Sequence, residues 1–369
     1  MMMEPAAGGT DGYRRRKPDH TMPGMEASWR IVDANLNRAR EALRVAEDYA
    51  RFILDDASLC SAAKSMRGEL RRVEEGLPAG ALLAGRDTTG DVGTVLSTEA
   101  EADRAGATGV AVAACKRLTE ALRAIEEYLK VLSPGSAPAV EALRYRAYTF
   151  EQRLLGRADL TTRIRRARLY VLLTSELCRQ DPVLTAHAAI AGGADVIQLR
   201  EKTLPHRQFW ELARRLRALT LESETLLIIN DRADIAAAVG ADGVHVGQDD
   251  LPVAAARRIV GGDKLVGLST HSLEQARAAV AAGADYIGVG PMFASPTKTI
   301  SPTPGPAFLK AVAAEISLPA FAIGGITAGN IGTLVDAGGR RAAVCQSVIA
   351  AEDPKSAARA LKDKLPVIG

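Results

Sequence analysis

Apolar positions Leu36, Ala39, Leu43, Ala46, Ala50 and Ile53 recur at alternating steps of three and four, which lays a single stripe along a helix. Lys116 to Leu132 repeats the rhythm with Leu118, Leu122, Ile125 and Leu129. Helical patterning also runs near Ala57–Gly76 and from Val140 to Leu155, and the polar run Arg86-Asp87-Thr88-Thr89-Gly90-Asp91-Val92-Gly93 reads as a loop. The pattern predicts a small all-α bundle from about Trp29 to Arg157, with Asp33 or Asn35 capping its first helix.

From Arg168 the grammar changes. Short β-branched runs alternate with alanine-rich stretches: Leu169–Thr174, Val196–Arg200, Leu226–Asn230, Gly243–Gly247, Leu265–Ser269, Tyr286–Gly290, Ala320–Gly324 and Ala342–Val348. Several are entered through one kind of turn, Gly193-Ala194-Asp195, Gly240-Ala241-Asp242, Gly283-Ala284-Asp285 and Gly338-Gly339. A glycine closing each helix before a parallel strand is the expected αβ-loop chemistry. Eight such units in roughly 200 residues fit a (β/α)8 TIM barrel. An open doubly wound sheet is the alternative, but no G-x-G-x-x-G turn follows the first run. The expected organisation is a tail over 1–25, an all-helical N-terminal domain over 26–160 and a barrel over 165–369.

Within the helical part, Arg38-x-x-Glu41-Ala42-Leu43-Arg44-x-x-Glu47-Asp48-Tyr49 lines up with Arg117-x-x-Glu120-Ala121-Leu122-Arg123-x-x-Glu126-Glu127-Tyr128 at an offset of 79 positions. This internal repeat points to two related helical hairpins. Its charges read either as a solvated face laced by pairs such as Arg38–Glu41 and Arg44–Asp48, or as an anion-binding surface that Arg86–Gly93 helps to build.

Composition narrows the classes. The 369 residues carry 47 basic and 44 acidic side chains, and 4% of residues are aromatic. Neither a basic excess nor stacking platforms for nucleic acid are in evidence. No stretch reaches the roughly 20 apolar residues of a membrane span. The segment before Met25, itself a possible alternative start, is basic without an apolar run behind it and so is not a secretory signal. Cys60, Cys115, Cys178 and Cys345 form no C-x-x-C pair, so buried thiols in a reducing, cytoplasmic compartment are expected rather than disulfides or zinc.

In a barrel of this kind, function sits where strands end. Those ends supply Gln198-Leu199-Arg200-Glu201-Lys202, Asn230-Asp231-Arg232, Gly247-Gln248-Asp249-Asp250, Ser269-Thr270-His271, Ser295-Pro296-Thr297-Lys298 and Gly324-Gly325. Arg200, Lys202 and Lys298 are cations, while Asp231 and Asp250 are carboxylates from neighbouring strands. Two carboxylates among cations suit a hard divalent ion, most simply Mg2+, shared with substrate phosphate oxygens. The paired glycines allow backbone N–H groups to approach a second phosphate. Singly, each has a plain structural reading: Arg200–Glu201 as a strand-end ion pair, Asp231 and Asp250 as helix caps, and the glycines as turn chemistry.

The ordered series Gln198-Leu199-Arg200-Glu201-Lys202, Asn230-Asp231, His245-Val246-Gly247-Gln248-Asp249-Asp250, Gly290-Pro291-x-Phe293-x-Ser295-Pro296-Thr297-Lys298 and Ala322-Ile323-Gly324-Gly325-Ile326 resembles the thiamine-phosphate synthases across the whole barrel half. The helical half resembles the extension of long forms of that family, related to a proposed second type of hydroxymethylpyrimidine-phosphate kinase. The resemblance implies a Mg2+-dependent transferase. It would move a (4-amino-2-methylpyrimidin-5-yl)methyl group from its diphosphate to a thiazole phosphate, plain or carboxylated, giving thiamine phosphate and pyrophosphate by dissociative substitution at the methylene. Gln198, Arg200 and Lys202 are then expected to hold the pyrimidine diphosphate, in one motif with Leu199 and Glu201, while Asn230 and Ser269 assist. Asp231 and Asp250 are the expected metal ligands. Ser295, Pro296, Thr297 and Lys298 are expected between the two substrates, and Gly325 at the thiazole phosphate. Arg200, Lys202, Ser269 and Lys298 form the implied catalytic set.

Two positions depart from the family pattern. Cys345-Gln346-Ser347 stands where Val-Ser is usual, leaving backbone N–H groups to serve the phosphate, and Ser295 stands for a common threonine but keeps the hydroxyl. The alternatives are a thiazole tautomerase on the same barrel, which has no use for the pyrimidine and metal residues together, and a binding or regulatory barrel that has lost catalysis. For the helical half a kinase, an interaction module and a lid all remain open. It carries no P-loop, kinase-type glycine-rich loop or paired metal carboxylates.

Overall fold

Helices come first along the chain: α1 (Met25–Phe52), α2 (Ala57–Glu75), α3 (Ala81–Ala84), α4 (Gly106–Leu132) and α5 (Ala137–Arg166). The computed structural model describes residues 24–78, 80–84, 104–294 and 304–368. Residues 1–23 of the expected tail, the loop Arg86–Gly93 and the segment Ser295, Pro296, Thr297 and Lys298 lie outside the described residues. By its contacts the chain divides into two compact units, Met1–Tyr49 with Ser61–Phe150, and Ala50–Cys60 with Glu151–Gly369.

In the first unit the apolar stripe of α1 is buried at Leu36, Ala39, Leu43 and Ala46, and α4 buries Leu118, Leu122, Ile125 and Leu129. α1 begins at Met25, so Asp33 and Asn35 are interior helical residues rather than caps, and the Asn35 amide donates to the Ile31 carbonyl at 2.8 Å. Ile53 lies past the last helical residue and is exposed, so the stripe ends before it. Arg44 pairs with Asp48 at 3.4 Å, whereas Arg38 donates to Asn35 rather than meeting Glu41. The repeat reappears as matched ion pairs, with Glu47 of α1 bound by Arg67 of α2 and Glu126 of α4 by Arg144 of α5, both at 2.7 Å.

In the second unit eight parallel strands close into a barrel in sequence order: β1 (Leu169–Leu173), β2 (Val196–Leu199), β3 (Leu226–Asn230), β4 (Gly243–Val246), β5 (Leu265–Thr270), β6 (Tyr286–Val289), β7 (Ala320–Ile323) and β8 (Ala342–Val344), with β8 pairing back to β1. β8 is shorter than the run that suggests it. After Val344 the chain turns at Cys345 into a helical turn, Gln346–Ile349, so Val348 packs from a helix. The aspartates of the recurring entry turns explain their recurrence. Asp195 accepts from the backbone of Leu169 at 2.9 Å, Asp242 from Leu227 at 2.8 Å and Asp285 from Val266 at 2.6 Å. Each ties one strand entrance to the preceding strand, capping N–H groups that a parallel sheet leaves open.

Alternation sorts the strand residues into two cores. Leu169, Val171, Ile197, Leu199, Leu227 and Ile229 face the surrounding helices. Tyr170, Val196, Leu226, Ile228, Leu265, Tyr286, Phe321 and Ala343 fill the lumen, packed with Leu160, Ile164 and Ala167. The residues at the far end of each inward row are therefore the ones left to face an opening.

Among the described residues no helix is long and apolar enough to cross a membrane. Cys115 is buried, while Cys60, Cys178 and Cys345 are partly exposed, and all four are free thiols.

Candidate active site

Continuing the inward rows upward brings Gln198, Asn230, His245 and Ser269 into the lumen, while the loops beyond carry Arg200, Lys202, Asp231 and Asp250. A cavity of about 540 Å³ opens here. Arg200, Ser269, Gly325, Thr327, Cys345 and Ser347 are among the residues that line it.

Asp231 sits just past β3 with φ of 58°, a left-handed conformation that Asp tolerates better than most residues. Its N–H donates to the His245 carbonyl at 2.8 Å, which fixes the turn. The carboxylate meets the ammonium of Lys202 and also the carboxyl of Asp250. Asp250 is anchored by the Gly247 N–H at 2.8 Å. Burial pushes the Asp231 carboxyl up and Lys202 pulls it back, but the neighbouring Asp250 leaves it above the ordinary carboxylate range. Burial acts on Asp250 in the same sense, yet the hydrogen bonds from Asp231 and Gly247 hold it below that range. The two acids therefore titrate as a pair, with Asp231 the harder of the two to ionise.

Neither aspartate caps a helix. The helices that follow start from Arg232 and Pro252, with no side-chain cap. The donor set fits a divalent cation: two carboxylates in contact, partly open to solvent, where phosphate oxygens and water can complete the shell. Among the described residues no group of three or more His, Cys, Asp or Glu that could hold a metal ion is gathered.

In the cavity wall the glycines are needed. Gly325 has φ of 64°, and a Cβ there would lie 2.6 Å from the Ala294 carbonyl oxygen. The Ser347 hydroxyl is buried without a hydrogen-bond partner, an unsatisfied donor beside an apolar cavity. Burial raises the Cys345 thiol to about 11 despite nearby Arg200, so it stays protonated and is no nucleophile near neutral pH.

Residues 169–348 match the family described as thiamine monophosphate synthase, and residues 30–153 match the ThiD2 family. A thiamine-phosphate synthase of Nostoc punctiforme is 43% identical over 326 residues, covering 88% of this chain and 91% of its own. The chain belongs to the thiamine-phosphate synthase family. A second relative of that description, from Rhodopirellula baltica, is 45% identical over 326 residues, covering 85% of this chain and 86% of its own. The solved thiamine phosphate pyrophosphorylase of Pyrococcus furiosus is 35% identical with a TM-score of 0.50, covering 55% of this chain and 96% of that one. The (β/α)8 barrel behind a helical region is the architecture expected of a long thiamine-phosphate synthase.

Against the residues that the family resemblance names, the geometry is uneven. Arg200, Ser269 and Gly325 line the cavity, and Lys202, Asp231 and Asp250 meet beside one another. Gln198 and Asn230 lie within the lumen rows and are buried. Leu199 faces the surrounding helices and is fully buried there. Glu201 does not pair with Arg200; it accepts from the Ser175 N–H at 2.8 Å and the Ser175 hydroxyl at 2.6 Å, bracing the loop after β1. His271 and Thr327 line the cavity without having been singled out, and Ser347 lines it from the Cys345-Gln346-Ser347 stretch that departs from the family pattern. His271 lies in the Ser269-Thr270-His271 run, which was its only signal.

Proposed function

We propose that the barrel joins a pyrimidinylmethyl diphosphate to a thiazole phosphate, releasing pyrophosphate. The observation that carries this reading is the Asp231–Asp250 pair beside Lys202 in the loops after β3 and β4, together with a cavity lined by Arg200, Ser269, Gly325 and Ser347, whose hydroxyl is unsatisfied. The carboxylate pair suits a diphosphate with a metal, and Gly325 with Ser347 a monophosphate. Asp231 and Asp250 would hold Mg2+, which when bound supplies positive charge where the leaving diphosphate gains negative charge.

Arg200 and Lys202 neutralise the same group, and Ser269 donates to it. The mostly apolar cavity wall shields a cationic pyrimidinylmethyl centre from water until the thiazole nitrogen captures it. No side-chain nucleophile is called for, in keeping with a protonated Cys345. A tautomerase would use the monophosphate site alone and leave the carboxylate pair without purpose. The helical unit, through its ThiD2 likeness, is proposed to act on the pyrimidine phosphate before the barrel does, and turnover of ATP with that compound by the full chain tests it.

The decisive experiment mixes the full chain with Mg2+ and both substrates and follows thiamine phosphate and pyrophosphate. Equal formation of the two, abolished by a chelator and restored by Mg2+, is the expected result. Folded protein that makes neither product with plain or carboxylated thiazole phosphate refutes the reading.

A further inference from the structure

A run of side chains crosses the barrel lumen from Gln198 to Ser269, and its middle members, Tyr170, Tyr286 and His245, have no part in the reaction as described so far. Gln198 Nε2 donates to Tyr170 Oη at 2.8 Å, and Tyr170 Oη lies 3.1 Å from Tyr286 Oη. Tyr286 Oη lies 3.3 Å from His245 Nδ1, and His245 Nε2 lies 3.0 Å from Ser269 Oγ. Tyr170 and Tyr286 are 3% and 1% exposed, and both rings pack edge-on against Phe321. Gly267 makes room for the crossing, since a Cβ there would lie 2.2 Å from the Tyr286 ring and 2.5 Å from His245 Nδ1. Burial pushes both phenols up, so both keep their protons. The run starts at β2 and ends on a hydroxyl that lines the cavity.

Its polarity follows from its first member. The Gln198 amide nitrogen can only donate, so Tyr170 Oη accepts there and has its own proton to give. If Tyr286 also donated to Tyr170, that buried proton would have no acceptor in the run. The consistent direction is Tyr170 to Tyr286, Tyr286 to His245 Nδ1, and His245 Nε2–H to Ser269 Oγ. Ser269 is then left with its proton free for the cavity. In the reverse direction Ser269 would donate inward and meet an anion with its lone pairs.

We propose that Tyr170, Tyr286 and His245 form a positioning relay that holds His245 as the Nε2–H tautomer and so aims the Ser269 proton at the departing diphosphate. The proposal rests on the assignment of Ser269 to the diphosphate. Because charge grows on the leaving group in the transition state, loss of the aim acts on kcat more than on KM.

The test uses the full chain with 15N-labelled histidine. The sequence holds five histidines, and a His245→Gln variant identifies the resonance in question. The expected spectrum has His245 protonated at Nε2 and bare at Nδ1. Tyr286→Phe is expected to mix the tautomers and lower kcat about tenfold with KM for the pyrimidine diphosphate within about twofold. His245→Ala is expected to lower kcat similarly, and the double variant to fall no further, because both act through one hydroxyl.

An Nδ1–H tautomer in the unaltered protein, an unchanged kcat in Tyr286→Phe, or fully additive losses would each overturn the relay. Should Tyr286→Phe fail to fold, the tautomer of the unaltered chain and the His245→Ala kinetics still decide. Failure of the synthase reading is seen separately, as absence of product from unaltered protein, and leaves the spectrum readable.

Discussion

In the helical unit Glu47 and Glu126 occupy matching positions of the repeat, and each is enclosed by cations. Glu47 has Arg67 at 2.7 Å, and Glu126 has Arg144 at 2.7 Å with Lys130 at 2.9 Å and Arg123 at 3.2 Å. At the barrel mouth the arrangement is inverted: two carboxylates face each other, with Lys202 on one of them. Charges answered by the protein's own side chains hold helices together, since a buried ion is tolerated only when paired. Charges set against their own kind raise the energy of the empty site and are relieved by a cationic ligand. The same residue types thus mean structure in one unit and chemistry in the other.

The sharpest way to break this contrast is Asp231→Asn, which removes the charge but keeps a residue that tolerates the left-handed backbone. Product formation is expected to fall at least about a hundredfold, as for loss of a group that acts where charge develops. The melting temperature without metal should hold or rise, because a like-charge contact has gone. A variant that melts much earlier while keeping its turnover would make Asp231 a structural residue and end the comparison.

Glu126→Ala is the mirror experiment and comes next in size. It leaves Arg144, only 8% exposed at its side chain, without its closest carboxylate, and removal of one partner of a buried pair costs about 3 kcal/mol. Hydrogen exchange across α4 should report the loss, with barrel turnover unchanged below the transition. The acid side gives a further check. Burial pushes the Glu126 carboxyl up, but Lys130 and Arg144 overcome it and hold it below the usual range. Its contribution is therefore complete above the unfolded carboxylate value of about 4.3 and is lost as pH falls through the lower folded value. Glu126→Gln should flatten that acid slope; a slope as steep as in the unaltered chain would assign it to other carboxylates.

Much of this contrast was legible in the sequence, for local reasons. The strand runs are β-branched and punctuated by Gly-Ala-Asp turns, so the barrel could be read from order alone, and Asp231 and Asp250 stand directly after their strands. Leu199 was grouped with its motif, although a period of two that points Gln198 inward must point Leu199 outward. β8 was read too long because apolar character resumes at Val348 and Ile349 although the backbone has already turned at Cys345. Glu47 and Glu126 looked like solvated helix charges, since the arginines that enclose them come from α2 and α5. The lumen relay was invisible, because Tyr170 and Tyr286 are 116 positions apart and meet only when the barrel closes.

The smallest expected effect sets the scale for the rest. Arg71 pairs with Glu75 at 2.8 Å, with side chains 77% and 57% exposed. Water screens such a pair, and Arg71→Ala should change stability by less than about 0.5 kcal/mol in a denaturant titration. Arg71 also lines a surface cleft with Arg40, Lys64 and Arg67. That cleft resembles the barrel mouth in its cations but not in its balance: Arg40 meets Glu74, Arg67 and Lys64 approach Glu47, and Arg71 has Glu75. If answered charge means structure, removing Arg71 should be as silent in millimolar phosphate as in its absence. A destabilisation seen only when phosphate is present would mean that the cleft binds an anion despite its internal pairs, and the rule separating the two units would then fail within the helical unit itself.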